Sequence, residues 1–148
     1  MKIQIVASAG QGTKLISTLI GKILSSYGMY AYVYTLYGPN MRKGIVSSFI
    51  VTDCKLIEEP FFEKSDVLFE FAQADESLPS FKKIDMNVLN KIAESKLNDK
   101  SMVNFVLLGY LLKLLKLELK TDKIKEFVSE NISDKWKIAV KEGYEMKA

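Results

Sequence analysis

Two changes of hydrophobic period within Met1 to Leu36 constrain this chain more than any other feature of its sequence. Ile3-Gln4-Ile5-Val6-Ala7 belongs to a short apolar run that stops at Ser8-Ala9-Gly10-Gln11-Gly12, the pattern of a buried strand entering a tight turn. From Thr13 to Ser26 the residues Leu15, Ile16, Leu19, Ile20, Ile23 and Leu24 recur at helical spacing. Tyr27-Gly28 ends that helix, because glycine accepts the left-handed conformation in which helices stop. Met29 to Leu36, rich in tyrosine and valine, then reads as a second strand. Strand, helix and strand in this order predict a right-handed crossover with the two strands as parallel neighbours.

Further on, the same reading predicts a loop at Tyr37-Gly38-Pro39-Asn40, a third strand over Ile45 to Thr52 and a shorter fourth over Val67 to Phe71. From about Asp85 the pattern is helical only. Helices are predicted over Asn87 to Leu97, over Lys100 to Leu117 behind an Asp99 cap, from Thr121 to near Ile132, and from a Ser133 cap towards Gly143. The helix from Lys100 is apolar almost all round, so it needs cover on more than one side, from its own chain or from a partner subunit. A chain of this length buries roughly 70% of its unfolded surface. The expectation is one α/β domain over residues 1–148: a Rossmann-like open, mainly parallel sheet flanked by helices, with a helical C-terminal portion.

What is missing narrows the chemistry. The chain has no histidine and a single cysteine, Cys54. Serine and cysteine triads, H-E-x-x-H sites and histidine-bound metals all need imidazole. A [4Fe–4S] cluster needs four thiolates, and zinc sites draw on several Cys or His residues. Cys54 has no internal disulfide partner, so it reads as a small buried hydrophobe or a spare loop thiol in a reducing cytoplasm. Basic residues number 21 and acidic ones 18, dispersed along the length, which gives no one-signed patch for nucleic acid. Met102 to Leu117 is shorter than the ~20 residues of a spanning helix, and Asn104, Gly109, Lys113 and Lys116 interrupt it. A soluble protein, bound neither to nucleic acid nor to membrane, is expected.

Two segments stand out as candidate sites. The turn Ala7 to Gly12 occupies the place of a dinucleotide fingerprint, where glycines permit a close backbone approach and the helix N-terminus offers unpaired N–H groups to an anion. Alanine at two of the small positions reduces the room for a pyrophosphate. An NAD site also expects an acid at the end of the second strand, and Val33-Tyr34-Thr35-Leu36-Tyr37 supplies none. Gly12-Thr13-Lys14 lacks the contiguous ending of a P-loop. Two readings stay open: a turn packed for its own sake or against a partner, and an anion or phosphate site. The second segment is Tyr37 to Gly44, whose Arg42 could pair with a carboxylate or phosphate through two parallel hydrogen bonds. It is predicted to share one sheet edge with the turn. Glu58-Glu59 reads as a solvated pair.

Taken in order, these segments resemble the gamma subunit of the 2-oxoacid (pyruvate, 2-oxoisovalerate, 2-oxoglutarate):ferredoxin oxidoreductases. That family's strand and G-x-G-G-Q-G turn are similar to Ala7 to Gly12, and its Gly-Tyr step to Tyr27-Gly28-Met29-Tyr30. Its Tyr-Gly-Pro-Glu-x-Arg-Gly-Gly segment is similar to Tyr37 to Gly44. Its Asn-Met-Val-x-Leu-Gly helix is similar to Lys100 to Gly109, and its closing Gly-Tyr-Glu to the end of Lys135 to Glu145. The similarity runs over residues 1–55 and 84–148 and is weak from Phe61 to Lys83. Ala7, Ala9 and Lys43 depart from the pattern. The resemblance implies a complex that decarboxylates a 2-oxoacid on thiamine diphosphate, passes electrons through iron–sulfur clusters to ferredoxin and transfers the acyl group to coenzyme A. It implies that alpha, beta and in some complexes delta partners hold these cofactors and that this chain holds none. Gly10, Gln11, Gly12, Tyr37, Gly38, Pro39 and Arg42 would then form its ligand- or partner-facing surface. The rival reading is a free-standing nucleotide- or phosphate-binding regulatory module with the glycine turn open to solvent.

Overall fold

A computed structural model describes residues 1–37, 44–71 and 77–147. The chain forms two compact units, Met1–Met86 and Asn87–Ala148.

The first unit carries β1 (Lys2–Ser8), α1 (Thr13–Ser26), β2 (Tyr30–Tyr37), β3 (Ile45–Asp53), β4 (Ser65–Glu70) and β5 (Ser80–Asp85). They form a five-stranded sheet in the order β2-β3-β1-β4-β5. β4 pairs in parallel with both β1 and β5, whereas β3 pairs antiparallel with both β1 and β2. Four strands therefore run one way and β3 runs against them, a mainly parallel, mixed sheet as expected. One expectation is corrected. β1 and β2 share a direction but are not neighbours, because β3 lies between them. The physical reason is the short connection from Tyr37 to Ile45, which lets β3 fold straight back on β2 as a hairpin, the local antiparallel pairing that needs no crossover. β3 is buried from Val46 to Thr52, as a strand with neighbours on both sides requires.

β5 is an addition to the four predicted strands. Its sequence Ser-Phe-Lys-Lys-Ile-Asp alternates half-buried with exposed, and the adjacent lysines mask that alternation. Lysine on an edge strand is a common guard against further pairing.

Across β1, β2 and β3, α1 buries Ile16, Ser17, Ile20, Ile23 and Leu24, while Leu15, read as part of its apolar face, is 79% exposed. Small residues bring helix and sheet close. A β-carbon on Gly21 would come within 2.8 Å of Val33 Cγ2. The Ser17 hydroxyl lies 3.0 Å from the Lys14 carbonyl and 3.2 Å from Ser48 Oγ, which in turn lies 3.0 Å from Thr35 Oγ1.

In the second unit, α2 (Met86–Leu97, opening at the last residue of the first) is followed by a 3-10 turn over Lys100–Met102. The Asp99 carboxylate caps that turn, accepting from the Ser101 amide at 3.0 Å and from the Ser101 hydroxyl at 2.5 Å. These bonds, the hydroxyl's foremost, hold the Asp99 carboxyl below its ordinary range. Three further helices are α3 (Val103–Leu114), α4 (Thr121–Lys125) and α5 (Lys135–Glu145). Nine of the twelve residues of α3 are buried within the chain itself, so this helix is not left seeking a partner subunit. α4 stops short of the predicted Ile132, since Phe127, Val128 and Ile132 each bond three residues back in tight turns. Its Thr121 provides no side-chain cap, whereas Ser133 Oγ accepts from Lys135 N at 3.4 Å ahead of α5.

α3 and α5 cross with their backbones touching at two glycines. A β-carbon at Gly109 would collide with the Val140 carbonyl, and one at Gly143 with the Val106 carbonyl. Phe105 and Trp136 pack beside the crossing at 6.1 Å between rings. Tyr144 OH donates to the Leu117 carbonyl at 3.0 Å, and the Lys113 ammonium donates to the Met146 carbonyl. Among the described residues no helix is long and apolar enough to cross a membrane.

The crossing makes a stability prediction. Gly109→Ala or Gly143→Ala forces two backbones apart and should cost about 2–4 kcal/mol, in the upper range of overpacking. Gly28, at φ +80° with open space around it, should tolerate alanine at roughly 1 kcal/mol. Denaturant melts check this, and equal losses at Gly109 and Gly28 would mean the helices can separate freely.

Candidate functional site

The site grows from the last residue of β1. After Ser8 the chain reverses through Gly10 at φ +86° and Gly12 at φ +73°, both left-handed values that favour glycine. Gln11 closes the turn on itself. Its Oε1 accepts from the Ser8 amide at 2.7 Å, and its own amide donates to the Ser8 carbonyl at 3.3 Å. Gly12 is the N-cap of α1, and its carbonyl accepts from Ile16 N at 2.9 Å. No side chain caps this helix, and its first turn carries no acid.

The turn is tied to the start of β3. The Ala9 amide donates to the Gly44 carbonyl, and a β-carbon on Gly44 (φ +63°) would lie 3.2 Å from that of Ala9. Ser8 pairs with Ile45, and Tyr37 pairs with Val46. The structure thus places Gly10, Gln11, Gly12 and Tyr37 on one edge of the sheet, with the first residues of β3 between turn and Tyr37. Gly38, Pro39 and Arg42 of the predicted surface lie outside the described residues.

The same edge holds a group that the sequence reading missed. Glu70, the last residue of β4, pairs with Val6 and is only 6% exposed. Its carboxylate lies 3.0 Å from Lys83 Nζ and accepts from the Ser77 hydroxyl at 3.1 Å. A buried carboxylate so paired is a structural tie for the ends of β4 and β5. All three residues lie in or beside the segment where the family similarity is weak, and a lone glutamate there gives no sign of its partners. Glu58 and Glu59 are exposed, as expected of a solvated pair. Cys54 is an exposed loop thiol rather than a core residue.

Exposed apolar side chains flank the edge: Leu15 in the first turn of α1, and Leu36 and Tyr37, each 56% exposed, at the end of β2. Further along β2, Tyr34 stacks on Phe49 at 4.7 Å and meets Phe61 edge-on at 5.1 Å. Burial, with the nearby Tyr32 as a lesser cause, raises the Tyr34 phenol above its ordinary pKa. Among the described residues no group of three His, Cys, Asp or Glu side chains could hold a metal ion. Among the described residues the edge offers backbone N–H groups and apolar contact surface, and its one buried carboxylate, Glu70, is already taken up by Lys83 and Ser77.

Comparison with known proteins places this architecture. The family model described as pyruvate ferredoxin/flavodoxin oxidoreductase matches residues 2–87. Among solved structures, the gamma subunit of a keto/oxoacid ferredoxin oxidoreductase from Geobacter sulfurreducens PCA is similar at a TM-score of 0.65 and 19% identity, over 97% of this chain and 96% of that one. The pyruvate oxidoreductase subunit PORC from Thermotoga maritima is similar at 0.63 and 20% identity, over 98% and 95%. A 2-oxoglutarate:ferredoxin oxidoreductase from Magnetococcus marinus, solved with 2-oxoglutarate, coenzyme A and succinyl-CoA, is similar at 0.66 and 14% identity, over 97% of this chain but 30% of that one. None of the curated proteins matches.

Two outcomes follow from the turn. Gly12→Val puts a β-branched residue at φ +73° and should cost about 1–3 kcal/mol; an unchanged melting midpoint would mean the turn relaxes without strain. NAD and NADP should not bind specifically, since no acid ends β2. Low-micromolar affinity for either in calorimetric titration would reverse that reading.

Proposed function

Because the chain belongs to the pyruvate ferredoxin/flavodoxin oxidoreductase family, we propose that it is the gamma-type subunit of a cytoplasmic 2-oxoacid:ferredoxin oxidoreductase. The complex would oxidatively decarboxylate a 2-oxoacid to an acyl-CoA. The observation that carries this reading is coextension: the match spans almost the whole of this chain and almost the whole of a gamma subunit of similar fold. A similar fold occupies under a third of a longer oxidoreductase chain. On this reading residues 1–148 act together as one gamma-type domain.

The chain's own donors do not fit an iron–sulfur cluster. One exposed thiol and no histidine cannot ligate an iron–sulfur cluster. From the family resemblance, thiamine diphosphate, the clusters and coenzyme A are assigned to alpha, beta and, in some complexes, delta partners, and this subunit is assigned a non-catalytic part, inactive alone. Its part is to pack against them. The edge bearing Gly10, Gln11, Gly12 and Tyr37, with exposed Leu15 and Leu36, has the apolar character of a partner contact. Arg42, in the matching family segment, is assigned to the same surface.

An affinity tag on this chain, expressed in its native host without oxygen, should retain two or three companions. The purified assembly should be brown and should reduce a viologen dye when given a 2-oxoacid, thiamine diphosphate and coenzyme A. Arg42→Ala should slow that reaction or loosen the assembly more than Lys125→Ala does. A tagged chain that elutes alone and monodisperse would sink the assignment.

A further inference from the structure

The sheet of the first unit ends in two strands of unlike chemistry. At one edge β5 carries Lys82, Lys83 and Asp85, charges that discourage a further strand. At the other edge β2 reads Tyr-Ala-Tyr-Val-Tyr-Thr-Leu-Tyr, eight residues without a charge, a proline or a glycine. Its pairing with β3 runs unbroken from Tyr30↔Asp53 to Tyr37↔Val46, so no bulge turns the edge aside. Among the described residues no strand lies beyond it. Alternate residues of an antiparallel strand turn their N–H and C=O groups away from the neighbour already paired, so a row of such groups lines this edge. Odd positions of β2 face α1, where Val33 lies under Gly21 and Thr35 joins Ser48 and Ser17. Even positions face the other way, and there Tyr32 and Tyr34 meet Phe61 edge-on. Tyr30, Tyr32, Leu36 and Tyr37 are all exposed on this one strand, and so is the Phe61 that leans on it.

We infer that β2 is the contact through which two copies of this chain pair, edge to edge and antiparallel, about a two-fold axis normal to the sheet. Such an axis keeps each face of the sheet on its own side. Even positions of one β2 then stand opposite even positions of the other, and tyrosine meets tyrosine or leucine. A charged partner strand would gain nothing from this edge, whereas a second β2 opposes no like charges to it. The area suffices as well. Side chains of this size, about half exposed, offer roughly 75–125 Å² each. Tyr30, Tyr32, Leu36, Tyr37 and Phe61 on both copies come to roughly 800–1,200 Å², against the ~1,000 Å² of a specific interface. The other edge closes the assembly. Once the two β2 strands are paired, only the lysine-bearing β5 edges remain, so the contact ends at a dimer rather than a fibre. Because β3 lies between β2 and β1, the pairing also leaves the glycine turn to other subunits.

Sedimentation equilibrium of the full chain under reducing conditions, from about 1 to 500 μM, should show reversible dimerisation with a Kd in roughly the micromolar range. Tyr30→Lys and Tyr32→Lys each set like charges against each other across the axis and should weaken the dimer about tenfold or more. Ile138→Lys, at a side chain just as exposed in the other unit, should leave it unchanged. The register is read by oxidation in a Cys54→Ser background. Tyr32→Cys and Tyr34→Cys chains, alone or mixed, should form an intermolecular disulfide in at least one combination, and neither should form a mixed disulfide with Val33→Cys. A monomer throughout, which is also what an edge reserved for a different protein would give, overturns the proposal. A dimer that survives Tyr32→Lys, or mixed disulfides to Val33→Cys, overturns it too; if Tyr32→Lys fails to fold, the cysteine pairs decide. None of these measurements calls on a 2-oxoacid or a companion subunit, so their failure is separable from failure of the subunit assignment.

Discussion

The return of β3 between β1 and β2 is the constraint on which the candidate edge depends. It puts the start of an antiparallel strand beside the end of β1, and so brings Gly44 against Ala9. Without it, β2 would lie directly on β1 and Tyr37 would crowd the glycine turn. With it, turn and tyrosine stand two strand spacings apart, roughly 10 Å. Close approach at that boundary also demands small residues on both sides. Alanine at 9, where the family has glycine, fits because its partner at 44 lacks a side chain.

A second constraint of the same kind organises the helical unit. Gly109 and Gly143 give α3 and α5 a contact in which backbone meets backbone, and the apolar residues around α3 gather about that axis. Both units thus rely on missing β-carbons at their tightest point, but to different ends. In the helical pair the glycines permit burial. In the sheet unit, Gly10 and Gly12 permit the reversal that carries the chain from β1 into α1.

Much of this was legible in the sequence, because local chemistry decides it. The bounds of α1 follow from its periodicity and Gly28, the Asp99 cap is made as read, and β1, β2, β3 and β4 lie where apolar runs put them. Strand order was not legible. Nothing in Ile45 to Thr52 says whether it pairs beyond β2 or inserts beside β1, since both leave it apolar. β5 was hidden because Lys82 and Lys83 on an edge blur the period of two. The apolar circumference of α3 could mean burial at home or under a partner, a choice made only by the contacts of the folded chain. Of the candidate site, glycine and glutamine could be placed from their types alone. The ties from Ala9 to Gly44 and from Glu70 to Lys83 join residues far apart in the sequence and leave no local trace.

The position of β1 also bears on how the protein is made. Ile3, Ile5 and Val6 are wholly buried, yet the strand that carries them precedes both strands that flank it in the sheet. During synthesis β1 leaves the ribosome ahead of its two neighbours, gains β3 only after α1 and β2 have followed, and gains β4 later still. Pairings of such separation are slow to close. Over that interval the future centre of the sheet is an exposed apolar ribbon, the kind of transient surface that draws nascent chains into aggregates or chaperones. The β2–β3 hairpin can form meanwhile from local pairing and offer β1 its first edge, so the inserted strand that shapes the finished sheet also shortens the wait.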